Sequence, residues 1–428
     1  MNAEDAYVFR HALLRDAAYQ LQLPGDRARL HAAAFQVLED GAGGRAPAAE
    51  PLDTAPPRCP PHPTSAIAEE LAGHARLAVP PGGDDGGAWG KLRSLYLRRA
   101  AHHAEERGEP AAAARLWKEF AGTVAGRESA EALRAAGICL SAMGRLEPAL
   151  ETLEEALRLH RAAGPGKFEG ATLTNMATVL SDLGRIAAAE SLLRQSRAIL
   201  RDAGDPHLEA TALGSLAAVY WNSGRVEEAR AAYEEALVLH RRTGARRHEG
   251  STLANLGSLL IMDDPGRAEQ LLGEALRIHR ETGNRRFEGA CLGYIAYLRA
   301  RAYRDAEAEA LYLETLGILR EVQDRQTEGR MLGNLAQLHS EMGRSAEAVE
   351  EYGRAIAILR ESGNRRWLGA HLCGLAIVHV RRGCREEAPA PWEEGRRILH
   401  EAGDEAERAR LEGDMKTACA EAGVVELA

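Results

Sequence analysis

A 40-residue internal repeat is the feature that most constrains how this chain of 428 residues can fold. One small residue recurs once per period, with successive spacings of 40, 40, 39, 40, 40 and 40 residues. Periods of about 20–50 residues indicate stacked units, each too small to bury its own apolar face. We therefore expect a fold in which successive repeats stack on one another, rather than a globular domain with one large core. The recurring residues are Ala149, Ala189, Ala229, Ala268, Ala308, Ala348 and Ala388.

Each period has the pattern of two helices joined by a short turn. In the period that begins near residue 209, apolar or small residues from Leu213 to Tyr220 recur at i, i+3, i+4 and i+7, which is one helix face. Gly224 then suits a left-handed helix end, and the second helix has small and large residues at Ala229 and Tyr233. The composition, rich in Ala, Leu, Glu and Arg with 5% aromatics, also favours helix over strand.

The repeats divide the chain into five predicted segments. We expect a helical segment at 1–40, a linker at 41–63, a short helix and Gly-rich linker at 64–90, eight hairpins at 91–403, and a capping helix and tail at 404–428. Seven of the 17 prolines fall within the first linker, so it is predicted to be mobile and dispensable. In the N-terminal segment, two amphipathic helices are expected to meet at Pro24. Their predicted buried residues are Phe9, Leu13, Leu14 and Ala17, then Leu30, Ala34, Val37 and Leu38.

The order of large and small residues, with glycine at the turn, resembles the tetratricopeptide repeat across about 310 residues. The 40-residue form is similar to the repeats of kinesin light chains and of large bacterial signalling ATPases. This resemblance implies an all-α, right-handed superhelical solenoid whose first helices line a concave groove. It also implies that asparagines on those helices hydrogen-bond the backbone of a bound peptide, although they could equally brace adjacent helices.

Residues 7–40 resemble the segment that joins the nucleotide-binding module to the repeats in STAND signalling ATPases, including cyclase-linked and LuxR-type regulators. The sequence lacks the phosphate-binding pattern itself, because Lys91 and Lys167 lack both the first glycine and the following hydroxyl residue. No ATP binding is therefore expected. The residues that carry the resemblance are Phe9, Arg10, His11, Arg15, Ala18, Tyr19, Arg27, Leu30 and His31.

Composition and motifs argue against several other functions. The 54 basic and 63 acidic residues lack the basic excess of a nucleic-acid binder. No apolar run is long enough for a membrane span, and six scattered cysteines are typical of a reduced, cytoplasmic protein. No catalytic, metal or cofactor motif is present, so we expect no enzyme activity and no cofactor. His160, His240 and His279, at the ends of second helices, are expected to act as cations near the helix dipole.

The junctions between repeats carry paired arginines, as in "ARRHEG", "NRRFEG" and "NRRWLG", with a glutamate following in the first two. The sequence favours ion pairs between repeats, but a row of arginines for anionic ligands is an alternative. In the groove, Tyr220 takes a core position, so Trp221 is expected to turn toward the groove. Other large groove residues are few, which predicts a wide, weakly charged channel. The candidate partner-binding residues are Asn175, Trp221, Asn255, Tyr294, Tyr297, Arg301, Arg330, Asn334 and Gln337.

These observations predict a non-catalytic scaffold or sensor that binds a protein or peptide in its concave groove, in bacterial signalling. The alternative is a ligand-sensing regulatory subunit that controls a separate kinase, cyclase or transcription factor in trans. Core packing is the competing role for Trp221 and Tyr297, since both are large and lie on helices of the stack.

Overall fold

A computed structural model describes residues 19–52, 59–79, 82, 87–164, 166–362 and 364–424. These residues form α-helices and two short 3-10 segments, Pro63–Ile67 and Arg385–Glu387, with no strand among them. The helices are α1 (Pro24–Gly41), α2 (Ala68–Leu77), α3 (Ala88–Glu106), α4 (Pro110–Ala121), α5 (Gly126–Ala142), α6 (Leu146–Ala162), α7 (Lys167–Asp182), α8 (Ile186–Asp202), α9 (Pro206–Asn222), α10 (Val226–Thr243), α11 (Arg246–Leu260), α12 (Pro265–Glu281), α13 (Arg285–Arg301), α14 (Asp305–Glu321), α15 (Arg325–Glu341), α16 (Ser345–Ser362), α17 (Arg365–Arg381), α18 (Pro389–Glu401) and α19 (Glu405–Glu421).

The structure confirms a helical solenoid built on the predicted period. All seven recurring alanines, from Ala149 to Ala388, are fully buried. The turns between paired helices use glycine in the left-handed conformation, for example Gly224 with φ of 74° and Gly343 with φ of 78°. Sequence period and hairpin period are therefore the same. Gly363, which directly precedes the junction motif "NRRWLG", lies outside the described residues.

The chain divides into two compact units, residues 1–183 and 184–428. In the first unit, the described part of the proline-rich segment packs against α3. The buried Arg99 side chain donates hydrogen bonds to the carbonyl oxygens of Pro47 and Pro60, at 3.2 and 2.8 Å. Leu52 is also buried. The described residues of 41–63 are therefore packed against α3 rather than mobile, because proline carbonyls still accept hydrogen bonds from a buried cation. That the stretch is dispensable stays a prediction.

The first unit also corrects the predicted face of α1. Leu30 and Val37 are exposed, whereas Ala28 and Phe35 are buried. Phe35 lies edge-on to the rings of Trp89 and Tyr96 in α3, with ring centroids 5.3 and 5.6 Å away. The position of these aromatic partners decides which face of α1 is covered. The preceding predicted helix, with Phe9, Leu13, Leu14 and Ala17 and most of the residues that resemble STAND proteins, lies outside the described residues.

The second unit begins with α8, continues with five stacked hairpins from α9/α10 to α17/α18, and closes with α19. The closing helix packs Leu411, Met415 and Cys419 against the apolar side of α17 and Trp392 of α18. It thus covers the apolar face that a further hairpin would otherwise occupy.

Junctions between hairpins of the second unit carry a repeated ion-pair arrangement, which we name the junction ladder. Glu249, Glu288 and Glu328 are buried near the starts of α11, α13 and α15. Glu288 accepts hydrogen bonds from Arg280 at 3.0 Å and from Arg285 at 2.8 Å. Burial alone would raise the pKa of Glu288, but the two arginines outweigh burial and lower the pKa. Of the two roles considered for the junction arginines, the structure supports ion pairing between repeats.

The histidines beside this ladder are packing residues. His240 and His279 are buried and stack on His248 and Phe287 of the following helix, with centroids 5.4 and 5.3 Å apart. Burial lowers the pKa of His240 to about 4 and also lowers the pKa of His279. These two histidines are neutral at neutral pH, so the predicted role as cations at helix ends is wrong for them.

Candidate functional site

Several large or polar side chains on three successive first helices of the second unit are only half buried. We name this surface the first-helix face. Unlike the buried alanines of the second helices, these side chains keep part of their surface open to solvent. The residues that define the face are Tyr294 and Tyr297 on α13, Arg330, Asn334 and Gln337 on α15, and Trp367 on α17.

Arg330 lies between two aromatic rings contributed by the neighbouring helices. Its guanidinium carbon is 5.2 Å from the ring centroid of Tyr294 and 5.6 Å from that of Trp367. The Nη1 group also donates a hydrogen bond to the Tyr294 hydroxyl at 3.2 Å. A cation within about 6 Å of a ring centroid is attracted by the ring quadrupole. The three side chains therefore form one cluster, which we name the arginine–aromatic cluster.

A buried histidine fills the space behind this cluster. His371 packs near Trp367 and Tyr352, with ring centroids 5.8 and 5.9 Å away. Burial lowers the pKa of His371 to about 4, while a hydrogen bond with the backbone of Arg330 opposes that shift. The imidazole is therefore neutral at neutral pH, and the positive charge of the cluster belongs to Arg330.

Glycine makes room for that histidine. A Cβ atom placed on Gly333 would lie 2.2 Å from His371 Nε2, and one on Gly293 would lie 2.4 Å from Met331 Sδ. The small residues expected to line the channel are Thr174, Gly214, Ala254, Gly293 and Gly333; Gly214 is half buried and the other four are buried. At Gly293 and Gly333 the missing side chain admits Met331 or His371 of the next first helix, so the prediction of a wide channel is wrong at these two positions.

Two of the amide candidates, Asn334 and Gln337, already have hydrogen-bond partners within the protein. Asn334 hydrogen-bonds the hydroxyl of Tyr312, a buried residue of α14. Gln337 donates a hydrogen bond to Glu341 at 2.9 Å. Asn255 is half buried on α11. The bracing role considered for the asparagine column is thus observed for Asn334.

The remaining candidates lie apart from the arginine–aromatic cluster. Trp221 is 37% exposed near the end of α9, while Tyr220 beside it is buried, as its core position predicts. Arg301 is exposed at the end of α13, and its Nη1 lies 3.2 Å from Met262 Sδ. Tyr297 packs at the border of the core around Tyr312. Asn175 is half buried and belongs to the first unit.

Trp367 is the member of the cluster that sequence reasoning missed. It occurs in the junction motif "NRRWLG", which led to its interpretation as part of a structural connection. Tyr294 and Arg330 are separated by 36 residues. Arg330 and Trp367 have a similar separation. Because both separations are three or four residues shorter than the 40-residue period, each pair lies in adjacent repeats with an offset of about one helical turn. A search for residues slightly less than one period apart could have found this diagonal contact.

Within the ranges described above, no group of three His, Cys, Asp or Glu side chains has the geometry of a metal site. Over the same part of the chain, no helix is both long and apolar enough to cross a membrane. The first-helix face itself offers aromatic surface, one cation and hydrogen-bonding groups.

Three solved structures have folds similar to that of this chain. A Rap protein complexed with competence and sporulation factor has a TM-score of 0.59 and 15% identity, covering 77% of this chain and 92% of that one. A STAND protein with a tetratricopeptide repeat sensor from Pyrococcus horikoshii has a TM-score of 0.54 and 13% identity, covering 95% and 68%. A Rap conjugation gene regulator of a plasmid, in complex with a peptide, has a TM-score of 0.54 and 14% identity, covering 66% and 78%. At these identities the likeness shows the fold.

Sequence comparison identifies repeats in parts of the chain. No curated protein sequence matches the chain. One profile described as tetratricopeptide repeat matches residues 128–202 and 208–281, and a second with the same description matches residues 329–358. The helices over these ranges form the hairpins expected from the 40-residue period. The chain is thus a helical solenoid that carries tetratricopeptide repeats.

Proposed function

We propose that the chain is a non-catalytic scaffold or sensor in bacterial signalling, and that it binds a protein or peptide segment on the first-helix face. The observation that carries this proposal is the half-open surface formed by Tyr294, Arg330 and Trp367 on three successive first helices. Aromatic and arginine side chains dominate the energetics of protein interfaces. A folded solenoid has no internal need to leave such residues partly uncovered on one face.

The similar structures support this proposal at the level of fold. Two of them were solved with a bound factor or peptide, and a third carries a tetratricopeptide repeat sensor. In the resembled repeat family, the first helices line the concave side. An extended segment lying across α13, α15 and α17 would contact side chains from three repeats at once, which fits recognition of a peptide better than of a small molecule.

The proposal is tested by selecting peptides from a displayed random library against the immobilised full chain. Selected peptides are then synthesised with a fluorophore, and their affinities are measured by fluorescence anisotropy. We expect Tyr297→Ala to weaken binding by about 1–3 kcal/mol, and Trp221→Ala to do the same if the peptide extends toward α9. Helicity, followed by circular dichroism, should be unchanged in both variants.

Leu313→Ala is the matched control, because Leu313 is an exposed apolar residue on the second helix α14. Peptides that bind the control variant and Tyr297→Ala equally well would place the binding surface elsewhere. A melting transition lost in Tyr297→Ala would assign that residue to the core. Failure of the full chain to select any peptide would overturn the proposal for peptides.

A further inference from the structure

The junction between α6 and α7, in the first unit, lacks one member of the arrangement that forms the junction ladder. Glu169 is buried near the start of α7 and accepts a hydrogen bond at 2.8 Å from Arg161, eight residues earlier. Each ladder glutamate also accepts one from an arginine three residues earlier, as Glu288 does from Arg285. The equivalent residue here is Gly166. A cavity of about 170 Å³ lies beside Gly166 and Glu169, which we name the junction cavity.

Two cations line the junction cavity without a carboxylate partner. Arg127, at the start of α5, donates a hydrogen bond from Nη2 to the carbonyl oxygen of Ala163 at 3.0 Å. The Lys167 ammonium lies 5.3 Å from the ring centroid of Phe168. Within the described part of the chain, neither cation has a carboxylate at ion-pair distance. Glu169, also in the wall, already has its own arginine partner. Two uncompensated positive charges therefore remain around the cavity.

The first turn of α7 adds backbone donors beside these cations. The helix begins at Lys167, and no side chain of the described residues caps it. At α9, by contrast, the Asp205 side chain accepts a hydrogen bond from the N–H group of Leu208 at 3.1 Å. The first N–H groups of a helix have no acceptor within that helix, and together with the helix dipole they favour an anion. The start of α7 thus reinforces the charge of the two cations.

A buried histidine in the wall has a hydrogen-bonding atom to spare. His160 is 2% exposed, lines the junction cavity and stacks on Phe168 with ring centroids 5.7 Å apart. Its Nε2 atom lies 3.0 Å from Oε1 of Glu131, whereas Nδ1 is buried and has no partner among the described residues. The carboxylate favours the proton of a neutral imidazole on Nε2, which leaves Nδ1 as an acceptor. A buried acceptor without a donor is costly, so a ligand that donates there gains affinity.

We propose that the junction cavity binds a phosphate group, either as inorganic phosphate or as the monoester of a small molecule. Phosphate oxygens accept hydrogen bonds from Arg127, Lys167 and the first N–H groups of α7, and a phosphate hydroxyl donates to Nδ1 of His160. The charge of a phosphate monoester at neutral pH, about −1.5 to −2, matches the two uncompensated cations. Sulfate has a similar shape but no proton to donate to Nδ1.

The cavity is small for a binding pocket, which limits the ligand. Pockets that enclose drug-sized molecules have volumes of about 300–1,000 Å³, so this one has room for the phosphate group while the rest of a larger ligand stays outside. All the groups that carry the inference belong to the first unit, whereas the first-helix face lies in the second. The phosphate site is therefore independent of the proposed function.

Isothermal titration calorimetry of the full chain in Tris chloride at neutral pH tests the site. The probes are inorganic phosphate, glycerol phosphate and sulfate, each titrated alone. We expect saturable binding of phosphate at millimolar concentration or below, and binding of sulfate that is weaker by about fivefold or more, because it lacks one hydrogen bond. Whichever of inorganic phosphate and glycerol phosphate binds more tightly identifies the source of the group. Absence of saturable phosphate binding, or equal affinities for phosphate and sulfate, would overturn the proposal.

Variants of the full chain test the place of binding. Arg127→Gln and Lys167→Gln should each weaken phosphate binding about tenfold, since each removes a charge-assisted hydrogen bond. Gly166→Arg restores the missing ladder arginine; its guanidinium should pair with Glu169, fill the junction cavity and abolish phosphate binding. Arg158→Gln is the matched control, because Arg158 is an exposed arginine on α6 that does not line the cavity, and its affinity for phosphate should be unchanged.

These variants also distinguish a site from general attraction to positive charge. An equal loss of phosphate affinity in Arg158→Gln and Lys167→Gln would overturn the proposal, as would phosphate binding that Gly166→Arg leaves intact. Circular dichroism melting of each variant excludes loss of folding as the cause of weaker binding. Both Gln substitutions are expected to melt like the unmodified chain, since neither cation has an ion-pair partner among the described residues to lose.

Discussion

The junction ladder and the arginine–aromatic cluster use the same cation in opposite ways within one unit. At the ladder, Arg280 and Arg285 converge on the buried carboxylate of Glu288. On the first-helix face, Arg330 contacts two rings, and its buried Nε has no acceptor among the described residues. A cation whose charge is neutralised within the fold contributes to stability, whereas Arg330 is held by attraction to aromatic rings.

The largest expected effect comes from removing both cations of one ladder step. The variant Arg280→Ala/Arg285→Ala leaves Glu288 buried, at 5% exposure, without a partner. We expect the free energy of unfolding to fall by about 3 kcal/mol, because an unpaired buried charge loses water without compensation. Denaturant titration followed by circular dichroism measures this loss.

The control for that experiment is Arg304→Ala. Arg304 pairs with Glu307, but both side chains are about half exposed. Exposed ion pairs contribute little, so the free energy of unfolding should fall by less than about 1 kcal/mol. An equal loss in the control and in the double variant would mean that burial of Glu288 does not matter, and the contrast between the two regions would lose its physical basis.

The second effect concerns the space behind the arginine–aromatic cluster. Gly333→Ala would place a methyl group where the imidazole of His371 lies. We expect a loss of about 1–3 kcal/mol in the free energy of unfolding, as is usual when a packed interior must accept extra volume. Peptide affinity should fall as well, because displacement of His371 disturbs Trp367 and Arg330. Thermal melting and anisotropy measure the two changes.

Gly353→Ala provides the comparison for Gly333→Ala. Gly353 lies within α16, is exposed, and has open space where its Cβ would be. Alanine there should stabilise the helix by up to about 1 kcal/mol, because glycine loses more backbone entropy on folding. Destabilisation by both substitutions would show that the second unit tolerates no added methyl group, and the result at Gly333 would carry no information about His371.

The ladder was predictable in part, because its contacts are local in sequence. Glu288 lies three residues after Arg285, within the motif "NRRFEG"; Arg280, eight residues before Glu288, lies outside that motif and was not predicted as a partner. The 40-residue spacing of alanines likewise fixed the helix pairs, since it recurs through six steps. Local and periodic contacts can be read from one sequence because each is repeated with the same neighbours.

The arginine–aromatic cluster and the face of α1 were not predictable in this way. The contact between Arg330 and Trp367 joins two repeats with an offset of one helical turn, and it depends on Gly333 admitting His371. Burial of Phe35 rather than Leu30 depends on aromatic partners in α3, far along the chain. Such contacts follow from three-dimensional packing, and no local sequence pattern predicts them.

A smaller effect tests the left-handed backbone conformation at the junctions of the ladder. Gln323 has φ of 55° at the junction before α15, where the equivalent residue before α13 is Gly283 with φ of 64°. Left-handed backbone is unfavourable for a residue with a Cβ. We expect Gln323→Gly to raise the free energy of unfolding by about 0.5–1 kcal/mol. Gly283→Gln, the reverse change, should lower it by about 1–2 kcal/mol. A lower free energy of unfolding for Gln323→Gly, or a higher one for Gly283→Gln, would contradict this explanation.

The smallest expected effect is on the stability of Arg330→Leu. This change removes attraction to the rings of Tyr294 and Trp367, worth about 0.5–1 kcal/mol each at partly exposed sites. It also removes a guanidinium with a buried, unpaired Nε, which offsets the loss. The free energy of unfolding should therefore change by less than about 0.5 kcal/mol, whereas Arg280→Leu should be clearly destabilising because it removes a partner of Glu288. A loss above about 1.5 kcal/mol for Arg330→Leu would mean that the aromatic rings and Arg330 brace adjacent repeats. The junction ladder and the arginine–aromatic cluster would then both hold adjacent repeats together, and they would differ only in the groups that contact the arginine.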